Sequence, residues 1–102
     1  MKSFWAKHEK EVMRQLHLNP QPASGASWLK PEDGENNAIV AQLKSTKGGA
    51  ITIRRTVIVD LINHALISHK VPVLVLDFVD SFLFVAFRIQ DLEELSGKKD
   101  FL

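Results

Sequence analysis

The segment from Val71 to Phe78 (VPVLVLDF) constrains the fold most, because every residue in it except Asp77 is apolar. A strand with one face in water alternates apolar and polar residues, whereas a continuous apolar run predicts a central strand covered on both faces. A second apolar segment, Phe82 to Ile89, follows the turn Val79-Asp80-Ser81 and predicts a paired strand. Helices are needed to cover such a sheet, so the sequence predicts a mixed α/β domain.

Two longer helices are expected to flank this sheet. Residues 3–17 place apolar side chains at three-to-four spacing and end before Pro20, since proline cannot continue a helix. Residues 56–69 show the same periodicity, with Thr56 as the N-cap. Asp91 to Leu95 predicts a short closing helix.

The remaining strands are expected in the first half of the chain. They are predicted at residues 28–30, 38–45 and 50–54, and the last two are joined by a hairpin turn at Lys47-Gly48-Gly49. The expected order is α-β-β-β-α-β-β-α, with a mixed sheet of about five strands flanked by helices. At 102 residues, the chain is expected to form a single domain over residues 1–102.

Composition narrows the classes of protein to consider. The chain has no cysteine, which excludes disulfides and thiolate metal sites and favours a reducing compartment. No apolar run reaches the roughly 18 residues of a membrane span, and residues 1–12 lack the apolar core of a signal peptide. We therefore expect a cytoplasmic protein without a membrane partner.

Charge is unevenly distributed along the chain. Residues 1–70 contain ten basic and six acidic residues (+4), and residues 71–102 contain three and six (−3). This asymmetry suits either a basic face for a polyanion or an ordinary solvated surface.

The segment from Asp33 to Ser45 (DGENNAIVAQLKS) carries the main functional pattern. Side chains alternate along a strand, so Gln42 and Lys44 project to one side, where a carboxylate from Asp33 can join them. Mg²⁺ prefers carboxylate and neutral oxygen ligands, and a lysine beside a phosphodiester can orient water and stabilise negative charge. The pattern therefore suits a divalent cation, Mg²⁺ or Mn²⁺, held beside a phosphodiester.

A second carboxylate is desirable for such a site. Glu9 on the first helix is the best candidate, and Glu11, Glu32 and Glu35 are the reserves. Each residue also has a structural interpretation: Asp33-Gly34 as a turn pair, Lys44 as an edge-strand lysine, and the glutamates as solvated side chains.

Other mechanisms have less support. The four histidines show no metal-ligand spacing, and without cysteine there is no thiol nucleophile. No serine lies in a nucleophile-elbow sequence, and Gly48-Gly49 lacks the pattern of a phosphate-binding loop.

The chain resembles a known nuclease family in the order of its motifs. A helix with glutamate (HEKEVMRQL) is followed by a small loop (PASGAS), an aspartate (PEDGEN), a strand ending in QLKST, the segment AITIRR, a helix and PVLVLDF. This succession is similar to that of the PD-(D/E)XK nucleases, which have the restriction-endonuclease-like fold. Within that group the chain most resembles archaeal Holliday-junction resolvases and small phage-encoded nucleases, over roughly residues 7–92.

The resemblance implies roles for individual residues. Asp33 would bind the metal, Lys44 would be the catalytic lysine, and Glu9 would complete the site. Ser24 and Gly25 would lie in the loop that approaches DNA. Where the family usually carries an acid, this chain has Gln42, which would be the remaining metal ligand.

DNA is the partner that this resemblance implies. The residues expected to contact its phosphates are Lys30, Lys44, Thr46, Lys47, Arg54 and Arg55. Their neighbours do not suggest base reading, so the expected enzyme is structure-selective. Cutting two strands symmetrically implies a homodimer, and similarity to phage nucleases implies action in the host cytoplasm.

Two alternatives to the endonuclease stay open. The first is a nuclease-fold domain that binds DNA or another protein without cutting, which Gln42 favours. The second is an interaction module in which Asp33 and Lys44 form only a surface salt bridge.

Overall fold

The computed structural model of the chain describes residues 4–20, 33–97 and 102. Within these residues the helices are α1 (Phe4–Gln15), α2 (Arg55–Ser68) and α3 (Leu92–Ser96), the last preceded by a 3-10 turn, Ile89–Asp91. The strands are β1 (Asn19–Pro20), β2 (Gly34–Glu35), β3 (Ile39–Thr46), β4 (Val71–Phe78) and β5 (Phe82–Phe87).

The strands form one sheet in the order β1-β2-β3-β4-β5. β3 and β4 are parallel, with Ile39 opposite Val71 and Thr46 opposite Phe78, and the other neighbouring pairs are antiparallel. Parallel neighbours need a long crossover, which here contains α2. The chain therefore leaves β3 at one end of the sheet and returns to the other end to begin β4.

The two faces of the sheet are covered by different helices. Alternate residues of β3 and β4, such as Ala41 and Val73, pack against Val12 and Met13 of α1 in the larger core cluster. On the opposite face Val40 packs against Leu61 and Ala65 of α2. The prediction of a central strand is confirmed, because β4 lies between β3 and β5.

Several local predictions were wrong. Residues 50–54 form no strand, and Lys47-Gly48-Gly49 is not a hairpin turn, because this segment begins the crossover to α2 instead of reversing beside β3. Thr56 is not the N-cap: α2 begins at Arg55, and Arg54 occupies the cap position without a side-chain hydrogen bond.

Other boundaries differ by a few residues. α1 ends at Gln15 rather than residue 17, with His17 in the left-handed region (φ 57°), and β5 ends at Phe87. Predicted strand 28–30 lies outside the described residues.

The α/β class is confirmed, with a mixed sheet flanked by helices. Two strands are only two residues long, and three of the predicted strands (38–45, 71–78 and 82–89) overlap strands of the structure. No helix in the described part of the chain is long and apolar enough to cross a membrane.

Candidate metal site and nucleic-acid surface

Asp33 immediately precedes β2, which lies between β1 and β3 in the sheet. Its Oδ2 accepts two hydrogen bonds, from Nε2 of Gln42 at 2.8 Å and from the backbone N–H of Leu43 at 2.7 Å. Because β2 pairs only with Val40 and Ala41, the carboxylate satisfies a backbone N–H of β3 that β2 does not reach. These two contacts fix the orientation of the Asp33 side chain.

Glu9 reaches Asp33 from α1. One turn along the helix, Met13 packs closely against Gly34: a Cβ on Gly34 would lie 2.5 Å from the Met13 Sδ. The missing side chain at Gly34 thus lets α1 approach β2, and residues four apart on a helix share a face. Glu9 is therefore carried towards the carboxylate that precedes Gly34.

The Glu9 and Asp33 carboxyl groups interact directly. Partial burial raises the pKa of Glu9, and the charge of Asp33 and a hydrogen bond between the two side chains raise it further. Two like charges this close disfavour simultaneous ionisation. Glu9 therefore holds a proton more readily than a separate surface acid, and a cation between the two carboxylates would relieve their repulsion.

Gln42 and Lys44 lie on the face of β3 that α2 covers, since they alternate with Ala41 and Leu43 of the α1-side cluster. Gln42 contacts Asp33 through the hydrogen bond from its Nε2. Lys44 is two residues further along the same face, or about 7 Å along the strand. Both side chains are half-buried.

No ion pair joins Asp33 to Lys44 within the described ranges. The hydrogen bonds of Asp33 to Gln42 and Leu43 take the place of the salt bridge that a simple interaction module would contain. That alternative therefore loses the contact on which it was based.

The reserve carboxylates are not at this site where the structure describes them. Glu11 pairs with Arg14 on the exposed side of α1. Glu35 accepts a hydrogen bond from Lys70 Nζ at 2.8 Å. Glu32 lies outside the described residues.

The residues predicted to contact DNA fall into two described groups and one undescribed group. Thr46 ends β3, and its Oγ1 accepts a hydrogen bond from the Gly48 N–H at 3.0 Å, while Lys47 follows in the same bend. Arg54 and Arg55 are exposed at the start of α2. Ser24, Gly25 and Lys30 lie outside the described residues.

Sequence reasoning missed a polar cluster beside β3 and β4. Asp77 is 5% exposed, and its Oδ2 accepts a hydrogen bond from Ser45 Oγ at 2.9 Å and lies 2.5 Å from His8 Nε2. The available signal was Asp77 itself, an acid within an apolar strand, which requires a buried partner. The contact joins α1 to the ends of the two parallel strands.

The donor set at Asp33 suits a hard divalent cation. Two carboxyl groups and a side-chain amide meet there, and Mg²⁺ typically takes one or two protein carboxylates together with water and phosphate oxygens. Within the described residues no cluster of three or more His, Cys, Asp or Glu side chains has the arrangement of a metal site. Any cation at this position would therefore depend on the Gln42 amide or a backbone carbonyl in addition to Glu9 and Asp33.

Comparison of the chain with models of known protein families, with curated proteins and with solved structures finds no match. Its function must therefore be argued from the geometry of these residues.

Proposed function

We propose that this protein is a metal-dependent DNA endonuclease that hydrolyses phosphodiester bonds with Mg²⁺ or Mn²⁺. The observation that carries the proposal is the contact between the carboxyl groups of Glu9 and Asp33, beside the amide of Gln42. Bringing two like charges together has an energetic cost that a divalent cation offsets. A purely structural role would be served equally well by one acid and one amide.

In this proposal some residues bind the cation and others contact the DNA. Glu9 and Asp33 would supply carboxylate oxygens, and Gln42 would supply its amide oxygen after the side-chain amide turns over by half a turn. A bound divalent cation lowers the pKa of water and stabilises charge on a phosphate. The Lys44 ammonium, on the same face of β3 as Gln42, would stabilise the negative charge that develops on the phosphodiester.

The order of elements agrees with the resemblance to PD-(D/E)XK nucleases. An acid on α1, an acid before the motif strand and a lysine two residues after Gln42 occur in the order expected for a restriction-endonuclease-like fold. That fold, the phage origin and a cytoplasmic location are part of the proposal. Lys47, Arg54 and Arg55 are available for phosphate contacts, which dominate affinity for DNA.

A homodimer is the proposed assembly. Two cuts related by symmetry require two sites, and isologous pairing of identical chains supplies them. Several large apolar side chains on α2 and β5 are exposed: Leu66 is 72% exposed, Ile67 65%, Phe82 62% and Phe84 60%. Burying these surfaces between two copies would remove them from water.

The experiment is a cleavage assay with supercoiled plasmid and a synthetic four-way junction, in Mg²⁺, Mn²⁺ or EDTA. Metal-dependent cutting is expected from the wild type and is expected to be lost in Asp33→Asn and Lys44→Ala. Asp60→Asn, at an exposed position on α2, is the matched control and should cut normally. Cutting that survives in EDTA, or in Asp33→Asn, would refute the proposed site.

A second candidate function is DNA binding without cleavage. The observation that favours it is the hydrogen bond from Gln42 Nε2 to Asp33 Oδ2, which satisfies one oxygen of the carboxylate without any metal. This candidate predicts a gel shift of the four-way junction in EDTA that is unchanged by Asp33→Asn, and intact DNA in either metal.

A further inference from the structure

The start of α1 carries an exposed aromatic cluster that the proposed metal site does not use. Phe4 is 48% exposed and Trp5 is 44% exposed, in the first turn of the helix. Large aromatic side chains at such exposure usually have a binding role when they are grouped with a cation. Here the cation is Lys47, whose Nζ lies 3.9 Å from the centre of the Phe4 ring and 5.6 Å from that of Trp5.

The Phe4 ring of this cluster packs against His8. The His8 ring is nearly parallel to that of Phe4, with centroids 5.3 Å apart and an interplanar angle of 10°. His8 in turn contacts the buried carboxylate of Asp77. Asp77 thus contacts His8, the His8 ring stacks on Phe4, and Lys47 lies over Phe4, so these contacts connect the start of α1 to the sheet.

Trp5 differs from Phe4 in the contacts of its ring. It meets the Phe4 and His8 rings edge-on, at interplanar angles of 81° in both cases. In the part of the chain that the structure describes, no ring is stacked parallel on the indole. Trp5 is 44% exposed, so a flat group can reach the part of the indole that the Phe4 and His8 rings and Lys47 leave open.

Trp5 is also next to the candidate metal site. Trp5 and Glu9 are four residues apart on α1, so their Cβ atoms are neighbours on one helix face, about 6 Å apart. A group stacked on Trp5 would lie within one or two nucleotides of a phosphate at Glu9, given a rise of about 3.4 Å per nucleotide.

We propose that Trp5, framed by Phe4 and Lys47, is a stacking site for an unpaired nucleobase next to the scissile phosphate. This inference rests on the proposed nuclease function and assigns its substrate class, DNA with unpaired nucleotides at a flap, fork or branch. Base stacking needs an exposed aromatic face, and the phosphate of the same nucleotide needs a cation. Trp5 and Lys47 supply these two features within a few ångströms. Paired bases in a continuous duplex expose no face to the indole.

The test measures the affinity of the protein for DNA in EDTA. The Trp5 side chain and the unpaired base are removed one at a time and then together. A 5′-flap substrate is prepared with either a normal nucleotide or an abasic one at each unpaired position next to the junction. Wild-type protein is expected to lose roughly tenfold in affinity at one abasic position, because stacking on one base typically accounts for between 5- and 100-fold. Trp5→Ala should lose the same factor with the normal flap, and nothing further with the abasic flap.

Matched variants separate stacking from folding. Trp5→Phe should retain most of the flap affinity, and Leu92→Ala, which removes an apolar side chain of comparable exposure at the start of α3, is the control. Binding to continuous duplex should be equal for the wild type and Trp5→Ala. A second readout is Trp5 fluorescence in a Trp28→Phe background, which the normal flap should quench and the abasic flap should not.

The outcomes distinguish this inference from the function on which it rests. The stacking site is overturned if the losses of flap affinity caused by Trp5→Ala and by the abasic nucleotide add in the combined measurement. It is also overturned if the fluorescence of Trp5 does not change when the flap substrate is saturating. Either result leaves the nuclease proposal intact. Trp5 fluorescence that changes with protein concentration alone assigns the cluster to contact between copies and also overturns it. Wild-type protein that binds no DNA of any form overturns both proposals.

Discussion

Replacing Asp33 in two different ways separates its structural role from its proposed metal role. Asp33→Ala removes the acceptor of the Gln42 and Leu43 hydrogen bonds, at 2.8 and 2.7 Å. Bonds to a charged acceptor contribute about 1.5–3 kcal/mol each. Part of that loss is offset because Glu9 is relieved of a neighbouring charge. We therefore expect a loss of about 3 kcal/mol in the free energy of unfolding, which lowers the melting temperature by roughly 12–24 °C.

Asp33→Asn preserves the geometry and removes the charge. Its side-chain oxygen, placed where Oδ2 of Asp33 lies, can still accept both the Gln42 Nε2–H and the Leu43 N–H. The expected loss in stability is below about 1 kcal/mol. If the carboxylate serves only to pair the edge of β3, this variant should behave like the wild type in every respect.

Divalent cations supply the decisive measurement. For a site with an affinity of about 1 mM, 10 mM Mg²⁺ stabilises the folded state by about 1.4 kcal/mol, which is roughly 6–11 °C in melting temperature. Melting followed by circular dichroism should show this increase in the wild type and in Asp60→Asn, but not in Asp33→Asn. An equal increase in Asp33→Asn would refute the assignment of the cation to Asp33.

Three further perturbations test the surrounding structure. Because the folded-state pKa of Glu9 is raised above 4.5, the wild type should lose free energy of unfolding as pH rises from about 4.5 through the native pKa. Urea titrations of Glu9→Gln should show a weaker pH dependence there, and parallel curves would contradict the carboxyl pair. Asp77→Asn should lower the free energy of unfolding, measured by thermal denaturation, by about 2–3 kcal/mol, whereas Ser45→Ala should lower it by about 1 kcal/mol. The difference is expected because the buried Asp77 carboxylate contacts His8 as well as Ser45. Equal losses would contradict this. Gly34→Ala should cost about 1–3 kcal/mol, since its Cβ would lie 2.5 Å from the Met13 Sδ. The loss should shrink in a Met13→Ala background, and strictly additive losses would refute the clash.

The parts of the fold that sequence predicted correctly are those governed by local periodicity. The apolar patterns of α2 and β4 are long, and a long pattern distinguishes a helix from a strand more clearly than a short one does. Residues 50–54 alternate as convincingly as a strand, but they lie in the crossover to α2. An alternating pattern indicates which side chains a strand would bury. It does not indicate whether a neighbouring strand is free to pair with that segment.

The same distinction applies to the candidate site. Asp33 and Gln42 were predicted to meet because a turn and a strand place them nearby, and they do, although Gln42 presents its Nε2 to Asp33 and not the predicted amide oxygen. The contact between Asp33 Oδ2 and the Leu43 N–H was not predictable, because it requires knowing that β2 is only two residues long. The His8–Asp77 contact joins residues 69 positions apart, and no spacing rule connects them.

The hydrogen bond that Gln42 donates to Asp33 explains how this site tolerates the absence of a third acid. A glutamate at position 42 would put a third negative charge beside Glu9 and Asp33, and the pKa of Glu9 is already raised by partial burial and by the neighbouring Asp33 carboxylate. The amide instead donates Nε2–H to the Asp33 carboxylate and adds no charge. Once a cation neutralises the pair, rotation of the same side chain by half a turn presents Oε1 in place of Nε2. Gln42 would therefore stabilise the proposed site without metal and supply an oxygen ligand when a cation is bound. Because an amide carries no charge, the expected cation affinity is lower than that of a site with glutamate at this position.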